Sequence, residues 1–137
     1  MSAKPQAPHP TEGELAILQV LWERTTPCSV REVHEKLSRQ KETAYTTVLK
    51  MMTIMADKGL LLRDESERTH RYAAVHPEPA VQKTMVKDLL QRAFSGSAAQ
   101  LVQRALDVEA PSREELDELA RLIAEAKARR GKRDAGR

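Results

Sequence analysis

The chain has 137 residues, of which 40% are hydrophobic and 31% are charged, a balance typical of a globular protein of one domain or two small ones. The sequence has no run of the roughly 20 apolar residues that a transmembrane helix needs. Its start, MSAKPQAPHP, lacks the apolar core of a signal peptide, so we expect a cytoplasmic protein. The net charge of +3 is too small to indicate a nucleic-acid partner by itself, and the single cysteine, Cys28, excludes an intramolecular disulfide.

The first part of the chain predicts a flexible tail and then helices. Residues 1–10 contain three prolines and predict the tail. TEGE predicts a helix start, because Thr11 at the N-cap and Glu14 three residues later form a capping box, and SVRE repeats the pattern at Ser29 and Glu32.

The third predicted helix lies in ETAYTTVLKMMTIMADKGLL, residues 42–61. Its apolar stripe has helical spacing and consists of Tyr45, Val48, Leu49, Met52, Met55 and Ala56. The opposite side carries Thr46, Thr47, Lys50 and Thr53. Thr is a poorer helix former than the Glu and Lys of an ordinary solvated face. Short hydroxyls around one lysine suit a DNA major groove, although this face alone is equally compatible with a plain exposed surface.

After this helix the hydrophobic period changes from helix to strand. LLLRDESERTHRYAAV, residues 60–75, predicts a hairpin with a charged turn, in which Leu60 and Leu62 face the same way as Tyr72 and Ala74. Three helices and a hairpin within residues 11–76 follow the order of a winged helix-turn-helix DNA-binding domain.

This interpretation assigns DNA contacts to three elements. The start of the second helix suits a phosphate, the outward side of the third helix suits base edges, and basic residues of the hairpin suit phosphates or the minor groove. The residues concerned are Ser29, Arg31, Thr46, Thr47, Lys50, Thr53, Arg68, His70 and Arg71. Simpler alternatives are an ion pair between Arg31 and Glu35 and a strand edge protected by the hairpin arginines.

Four segments resemble the penicillinase repressor (BlaI/MecI/CopY) family of winged-helix transcriptional regulators. They are PTEGELAILQVLWE, SVREVHEKL, AYTTVLKMMTIMADKGLL and RYAAV, and the similarity covers roughly residues 10–126. The resemblance implies a mainly α protein with a small β-hairpin wing, a helical C-terminal segment that forms a homodimer, and repression at palindromic operators in double-stranded DNA. It also implies that Tyr45 belongs to the recognition helix and contacts DNA.

Two departures from the family pattern concern the inducing signal. In the β-lactam-responsive members, a membrane sensor-protease system triggers cleavage at an Asn-Phe bond after a Leu-Val pair, but this chain has LVQRAL at residues 101–106. The copper-responsive members carry paired cysteines near the C-terminus, which this chain lacks. The resemblance therefore implies a candidate sensor-protease partner, but this sequence lacks the matching cleavage site.

A linker signal, His76-Pro77-Glu78-Pro79, separates the predicted winged domain from residues 77–128. Short helices with few large apolar residues cannot bury much surface alone, so we expect this region to form the dimer. The expected interface residues, which include the FSGS and LV segments given by the resemblance, are Val86, Leu89, Phe94, Leu101, Val102, Leu106, Leu116, Leu119 and Ile123.

The chain ends in AKARRGKRDAGR, with six basic residues against one Asp. We interpret this segment as a cationic helix end, favoured by the helix dipole, that continues into a disordered tail at 129–137. Sequence-independent attraction to phosphate is the alternative.

The sequence thus predicts a sequence-specific, homodimeric DNA-binding repressor. A winged helix that binds proteins, or a nucleoid-type protein without sequence preference, are the alternatives. The sequence has no Gly-rich phosphate loop, no ligand cluster at metal spacing and no nucleophile–base pair, so we predict neither an enzyme nor a cofactor or metal site.

Overall fold

The structure is a computed structural model that describes residues 7–136. Within them the elements are α1 (Glu12–Glu23), α2 (Val30–Ser38), α3 (Tyr45–Asp57), β1 (Leu61–Asp64), β2 (Arg71–Ala74), α4 (Glu78–Ala93), α5 (Ala98–Val108) and α6 (Arg113–Ala135). The chain divides into two compact units, of which the first ends at Leu89 and the second begins at Leu90. Residues 78 and 79 of the predicted linker begin α4. None of the helices described is long and apolar enough to cross a membrane.

Capping boxes start the first two helices, as the sequence predicts. Thr11 Oγ1 accepts a hydrogen bond from the Glu14 N–H at 3.2 Å, and the Glu14 carboxylate accepts one from the Thr11 N–H at 2.9 Å. Ser29 and Glu32 form the same pair of bonds, at 3.2 and 3.0 Å. Both helix starts are therefore defined by local sequence.

Gly59 ends α3 in the left-handed conformation, with φ of +83°. The Gly59 N–H donates to the carbonyl of Ala56 at 3.1 Å, and the Leu60 N–H donates to the carbonyl of Met55 at 2.8 Å. These two bonds form a Schellman motif, which turns the chain sharply from α3 into β1.

The core of the first unit lies between α1, α2, α3 and the hairpin. Its buried residues are Ile17, Leu18, Val20, Leu21, Cys28, Val30, Val33, Val48, Met52, Met55, Leu60, Leu61 and Tyr72. The contribution of α3 consists of Val48, Met52 and Met55, spaced at i, i+4 and i+7. This spacing buries one side of α3 and leaves the opposite side to solvent.

The hairpin register differs from the predicted one. Leu61 lies opposite Ala74 in the antiparallel pair, and Leu61 and Tyr72 are buried whereas Leu62 is 65% exposed. The expectation that Leu62 shares the face of Tyr72 is wrong. Three consecutive leucines have no period of two, so they do not specify which of them faces the core.

Residues 7–10, the described part of the predicted flexible tail, pack on α4. Ala7 is buried, and its carbonyl accepts a hydrogen bond from Thr84 Oγ1 at 2.6 Å. His9 Nε2 lies 3.6 Å from Asp88 Oδ2. These contacts join the end of the predicted tail to α4. The flexibility of the tail stays a prediction, and residues 1–6 lie outside the described part of the chain.

The second unit has no buried residue in the described range up to Gly136. Its exposed large apolar side chains are Val102, Leu106, Val108, Leu116, Leu122 and Ile123. Phe94, Leu101 and Leu119 are half-buried. One copy of this unit therefore leaves its apolar residues largely uncovered.

The final helix is longer than the sequence predicted. α6 runs to Ala135, so residues 129–135 of the expected disordered tail are helical in this structure. Arg137 lies outside the described residues, and the disorder of the tail stays a prediction. Arg and Lys are good helix formers, and Gly131 alone interrupts them without ending the helix.

Candidate DNA-binding surface

The basic residues of the winged region differ in whether an acidic side chain compensates them. Residues 11–76 contain ten Lys or Arg and ten Asp or Glu, so their net charge is zero. The cations with an acidic partner are Arg24, Lys36, Lys58, Arg63 and Arg71. Those that form no ion pair within the described residues are Arg31, Arg39, Lys41, Lys50 and Arg68. The second group retains its full charge toward an outside partner.

Two of these uncompensated cations line one groove. It has a volume of about 520 Å³ and lies between the start of α2, one side of α3 and the hairpin. Its lining residues are Ser29, Val30, Arg31, Tyr45, Leu49, Arg68, Thr69, His70 and Tyr72. None of these is Asp or Glu, so the groove attracts anions and suits a phosphate backbone.

A second set of predicted residues lies on the outward side of α3. Thr46, Lys50 and Thr53 are spaced at i, i+4 and i+7, and Thr46 and Lys50 are exposed. The Thr53 hydroxyl donates to the Leu49 carbonyl at 2.8 Å, which leaves its lone pairs and methyl group for contacts. This face can therefore meet base edges with hydroxyls, methyl groups and one ammonium.

The other two predicted residues of α3 lie at its flanks. Tyr45 packs edge-on against His34, with ring centroids 5.6 Å apart, and lines the groove. His34 Nε2 lies 2.7 Å from the Thr43 carbonyl oxygen, so this histidine connects α2 to the segment before α3. Thr47 is exposed but lines a different cavity, with Gly13 of α1, and so lies away from the centre of the outward face.

Two of the predicted DNA contacts, Ser29 and Arg71, also have partners within the protein. Ser29 is 8% exposed, and its hydroxyl oxygen accepts the capping hydrogen bond of α2. Arg71 Nη1 donates to Glu32 Oε1 at 3.1 Å, and Arg24 Nη1 lies 3.6 Å from Glu32 Oε2. The hydrogen bond from the Ser29 N–H, followed by the charges of Arg71 and Arg24, lowers the pKa of Glu32. The ionised Glu32 therefore links Arg71 of β2 to the start of α2.

Backbone hydrogen bonds reinforce this connection beneath the groove. The Cys28 N–H donates to the Tyr72 carbonyl at 2.9 Å, and the Tyr72 N–H donates to the Cys28 carbonyl at 2.7 Å. Burial, and secondarily the Glu32 carboxylate, raises the pKa of the Cys28 thiol, which keeps it protonated and unreactive. The hairpin is thus held at a fixed distance from α2.

Sequence reasoning did not assign four of the lining residues to the groove: Val30, Leu49, Thr69 and Tyr72. Val30 and Tyr72 are buried residues of the core that form the floor of the groove. Leu49 was assigned to the apolar stripe of α3, but it is 41% exposed and lines the groove. Thr69 lies between Arg68 and His70 and lines it too. Leu49 follows Tyr45 by one helical turn, which was a usable signal that both lie on one side.

Comparisons with known proteins give matches that span both units of the chain. The model of the family described as penicillinase repressor matches residues 10–125. The transcriptional regulator BlaI of Mycobacterium tuberculosis (strain ATCC 25618 / H37Rv) is 43% identical over 122 residues, which cover 88% of this chain and 86% of that protein.

More distant relatives match over a similar length. The penicillinase repressor of Bacillus licheniformis is 24% identical over 123 residues, or 90% of this chain and 95% of that protein. The methicillin resistance regulatory protein MecI of Staphylococcus aureus (strain N315) is 20% identical over 113 residues, or 82% of this chain and 91% of that protein.

Proposed function

Because this chain belongs to the penicillinase repressor family, whose members are DNA-binding transcriptional repressors, we propose that it binds palindromic operator DNA as a homodimer. The observation that best supports a DNA-binding role for the winged unit is the groove beside α3. Arg31 and Arg68 carry uncompensated charge there, and no carboxylate lines the groove. The exposed face with Thr46 and Lys50 lies on the same helix.

In this proposal α3 enters the major groove and reads bases. Lys50 donates to a guanine edge, and the hydroxyl and methyl groups of Thr46 and Thr53 contact base edges or thymine methyl groups. Tyr45 and Thr47 contact the DNA at the two flanks of the helix. Short threonine side chains allow the α3 backbone to approach the base pairs closely.

Phosphate contacts come from the groove and fix the orientation of α3. Arg31 at the start of α2, together with Arg68 and His70 of the hairpin, supplies them. Arg71 acts indirectly, because its guanidinium holds Glu32 and so positions the hairpin. Ser29 acts in the same indirect way, as the cap of α2.

The helical region 77–128 supplies the dimer in this proposal. The second unit, which begins at Leu90, has no buried residue in its described range, so that unit gains a core by packing on a second copy. The proposed boundary separates a winged region at 11–76 from a dimerisation region at 77–128. The proposed interface residues are Val86, Leu89, Phe94, Leu101, Val102, Leu106, Leu116, Leu119 and Ile123. A stable obligate interface buries about 2,000 Å² or more. Its two-fold axis presents two copies of α3 to half-sites roughly 34–36 Å apart.

Repression then requires no chemistry. The bound dimer occupies the promoter and excludes polymerase, and a cytoplasmic location follows because bacterial operators lie there. A sensor-protease system is a candidate source of the inducing signal. Cleavage at the family's Asn-Phe position is not part of the proposal, since Gln103 and Arg104 stand there within the continuous helix α5.

Selection from fragmented genomic DNA of the source organism tests this function. The purified protein is incubated with the fragments at moderate salt, and the bound DNA is captured and sequenced. We expect a few promoter sites that share a palindrome. Strong binding without a shared motif would replace the proposal with a nucleoid-type protein, and no binding would favour a protein-interaction module.

A further inference from the structure

α6 extends well past its apolar residues as a cationic helix. Its last large apolar side chain is Ile123, whereas the helix continues to Ala135. We call residues 127–135 the basic extension. Its cations are Lys127, Arg129, Arg130, Lys132 and Arg133, against a single acid, Asp134. Nine residues at ~1.5 Å each make the extension about 14 Å long.

Stabilisation of α6 by its own dipole does not account for this charge. The favourable effect of cations is confined to the last turn, and that turn contains Lys132 and Arg133. Lys127, Arg129 and Arg130 lie before it. At these positions the charge itself does not stabilise the helix, since uncharged Gln is as good a helix former as Arg or Lys.

Ion pairs do not account for it either. Within the described residues, Arg130 alone among the five cations has an acidic partner, Asp134 at 3.9 Å, and both side chains are exposed. Two acidic residues that precede the extension in α6, Glu118 and Glu125, both pair with Arg121 and not with the extension. The extension therefore presents four uncompensated charges per protomer to solvent.

We propose that the basic extension binds the phosphate backbone of DNA, independently of base sequence and in addition to the winged-unit contacts. This inference rests on the proposed function, because the DNA that the extension contacts is the operator DNA bound by the winged units. Three of the five cations are arginines, whose planar guanidinium groups bind phosphate in a bidentate geometry. A length of about 14 Å matches about four base pairs at ~3.4 Å each.

The composition of the extension distinguishes DNA from a membrane surface. An interfacial membrane helix needs large apolar residues on the side opposite its cations. The uncharged residues of the extension are Ala128, Gly131 and Ala135, none of which can anchor a helix in lipid. Nucleic acid is therefore the anionic partner that this helix suits.

The first experiment replaces the five cations of the extension by Gln, which is a good helix former. If two side chains of each extension contact phosphate, a dimer loses four contacts, and the slope of log affinity against log salt falls by about 3.6. Affinity at 0.15 M salt then falls roughly 10²–10³-fold, equally on the operator and on unrelated DNA of the same length. A slope change below ~0.9, less than one contact, overturns the proposal.

A matched pair of double variants separates local contact from net charge. Lys127→Gln/Lys132→Gln and Lys83→Gln/Lys87→Gln each remove two exposed lysines from a helix. We expect the first pair to lower the salt slope and the second, on α4, to leave it unchanged. Equal effects would mean that only the total charge matters, which contradicts a specific contact surface.

Three further measurements distinguish a loss of DNA contacts from a loss of the dimer and from binding to lipid. Replacing Arg129, Arg130 and Arg133 by Lys should preserve most of the slope, and sedimentation should show every variant as dimeric as the unmodified protein. Vesicles of equal parts phosphatidylglycerol and phosphatidylcholine should not bind the protein, and binding that the Gln variant loses would replace DNA with lipid as the partner. An unmodified protein that selects no operator refutes the proposed function, whereas operator binding with an unchanged slope refutes the extension alone.

Discussion

Arg68 and Arg71 offer a direct test of the DNA-binding surface, because they are two arginines of one hairpin with different surroundings. Arg71 Nη1 donates to Glu32 at 3.1 Å. Arg68 lines the groove and forms no ion pair within the described residues. Since an uncompensated cation attracts phosphate more strongly than a paired one, Arg68→Gln and Arg71→Gln should weaken DNA binding unequally.

The size of the difference follows from the number of contacts. A dimer contains two copies of Arg68, so Arg68→Gln removes two phosphate contacts and lowers the salt slope by about 1.8. Relative to 1 M salt, two contacts correspond to roughly 30-fold in affinity at 0.15 M. The Arg71 and Glu32 side chains are 43% and 35% exposed, so their ion pair stabilises the fold by at most about 1 kcal/mol. Arg71→Gln should therefore lower the free energy of unfolding slightly and leave the salt slope unchanged.

Fluorescence anisotropy with labelled operator DNA, measured over a range of salt concentrations, gives both slopes. Urea unfolding at one protein concentration gives the stability of each variant. The reasoning would be refuted by a salt slope that falls equally in the two variants, because ion pairing would then not distinguish the arginines. It would also be refuted if Arg68→Gln left the slope unchanged.

Three other variants test the remaining parts of the proposal. Lys50→Ala should cost ~1–3 kcal/mol in operator affinity if Lys50 reads a base; an equal loss on unrelated DNA in the same binding assay would indicate a phosphate contact, and no loss would exclude both. Leu119→Asp should shift the dimer toward monomer in sedimentation and weaken operator binding by about 10²-fold or more, whereas a dimeric variant would locate the interface elsewhere. Burial acts to raise the pKa of Glu14, but the hydrogen bonds from Lys58 and the Thr11 N–H outweigh it and lower that pKa below its ordinary 4.5. The stabilisation by ionised Glu14 is present above pH 4.5 and is lost as the pH falls through the lowered pKa. Glu14→Gln should lower the free energy of unfolding at neutral pH by about 1 kcal/mol or less, and its unfolding should depend less on pH below pH 4.5. An unchanged dependence of stability on acid pH would contradict this role of Glu14.

Local sequence was sufficient to predict the helix starts and the end of α3. The capping boxes at Thr11 and Ser29 and the left-handed Gly59 depend on residues within a few positions of each other. The helical spacing of Val48 and Met52 likewise predicts which side of α3 is buried. The outward face of α3 followed from the same pattern.

Features that depend on distant residues were not predictable in this way. The pairing of Arg71 with Glu32 joins residues 39 positions apart, so no local pattern indicates that Arg71 is compensated while Arg68 is not. The side of Leu62 depended on hairpin register, and the exposure of Leu49 depended on a groove formed by three elements. The persistence of α6 through the basic extension was missed because charged, glycine-containing ends are often disordered.

The absence of buried residues in the described part of the second unit has a consequence for how the amount of this repressor is controlled. If that unit gains its core only from a second copy, folding of the unit and dimerisation are a single equilibrium. A monomer would then have an incompletely folded second unit, which proteases cleave more readily than a packed one. Slow synthesis would leave more chains as protease-sensitive monomers, so the level of active repressor would rise more steeply than in proportion to its rate of production.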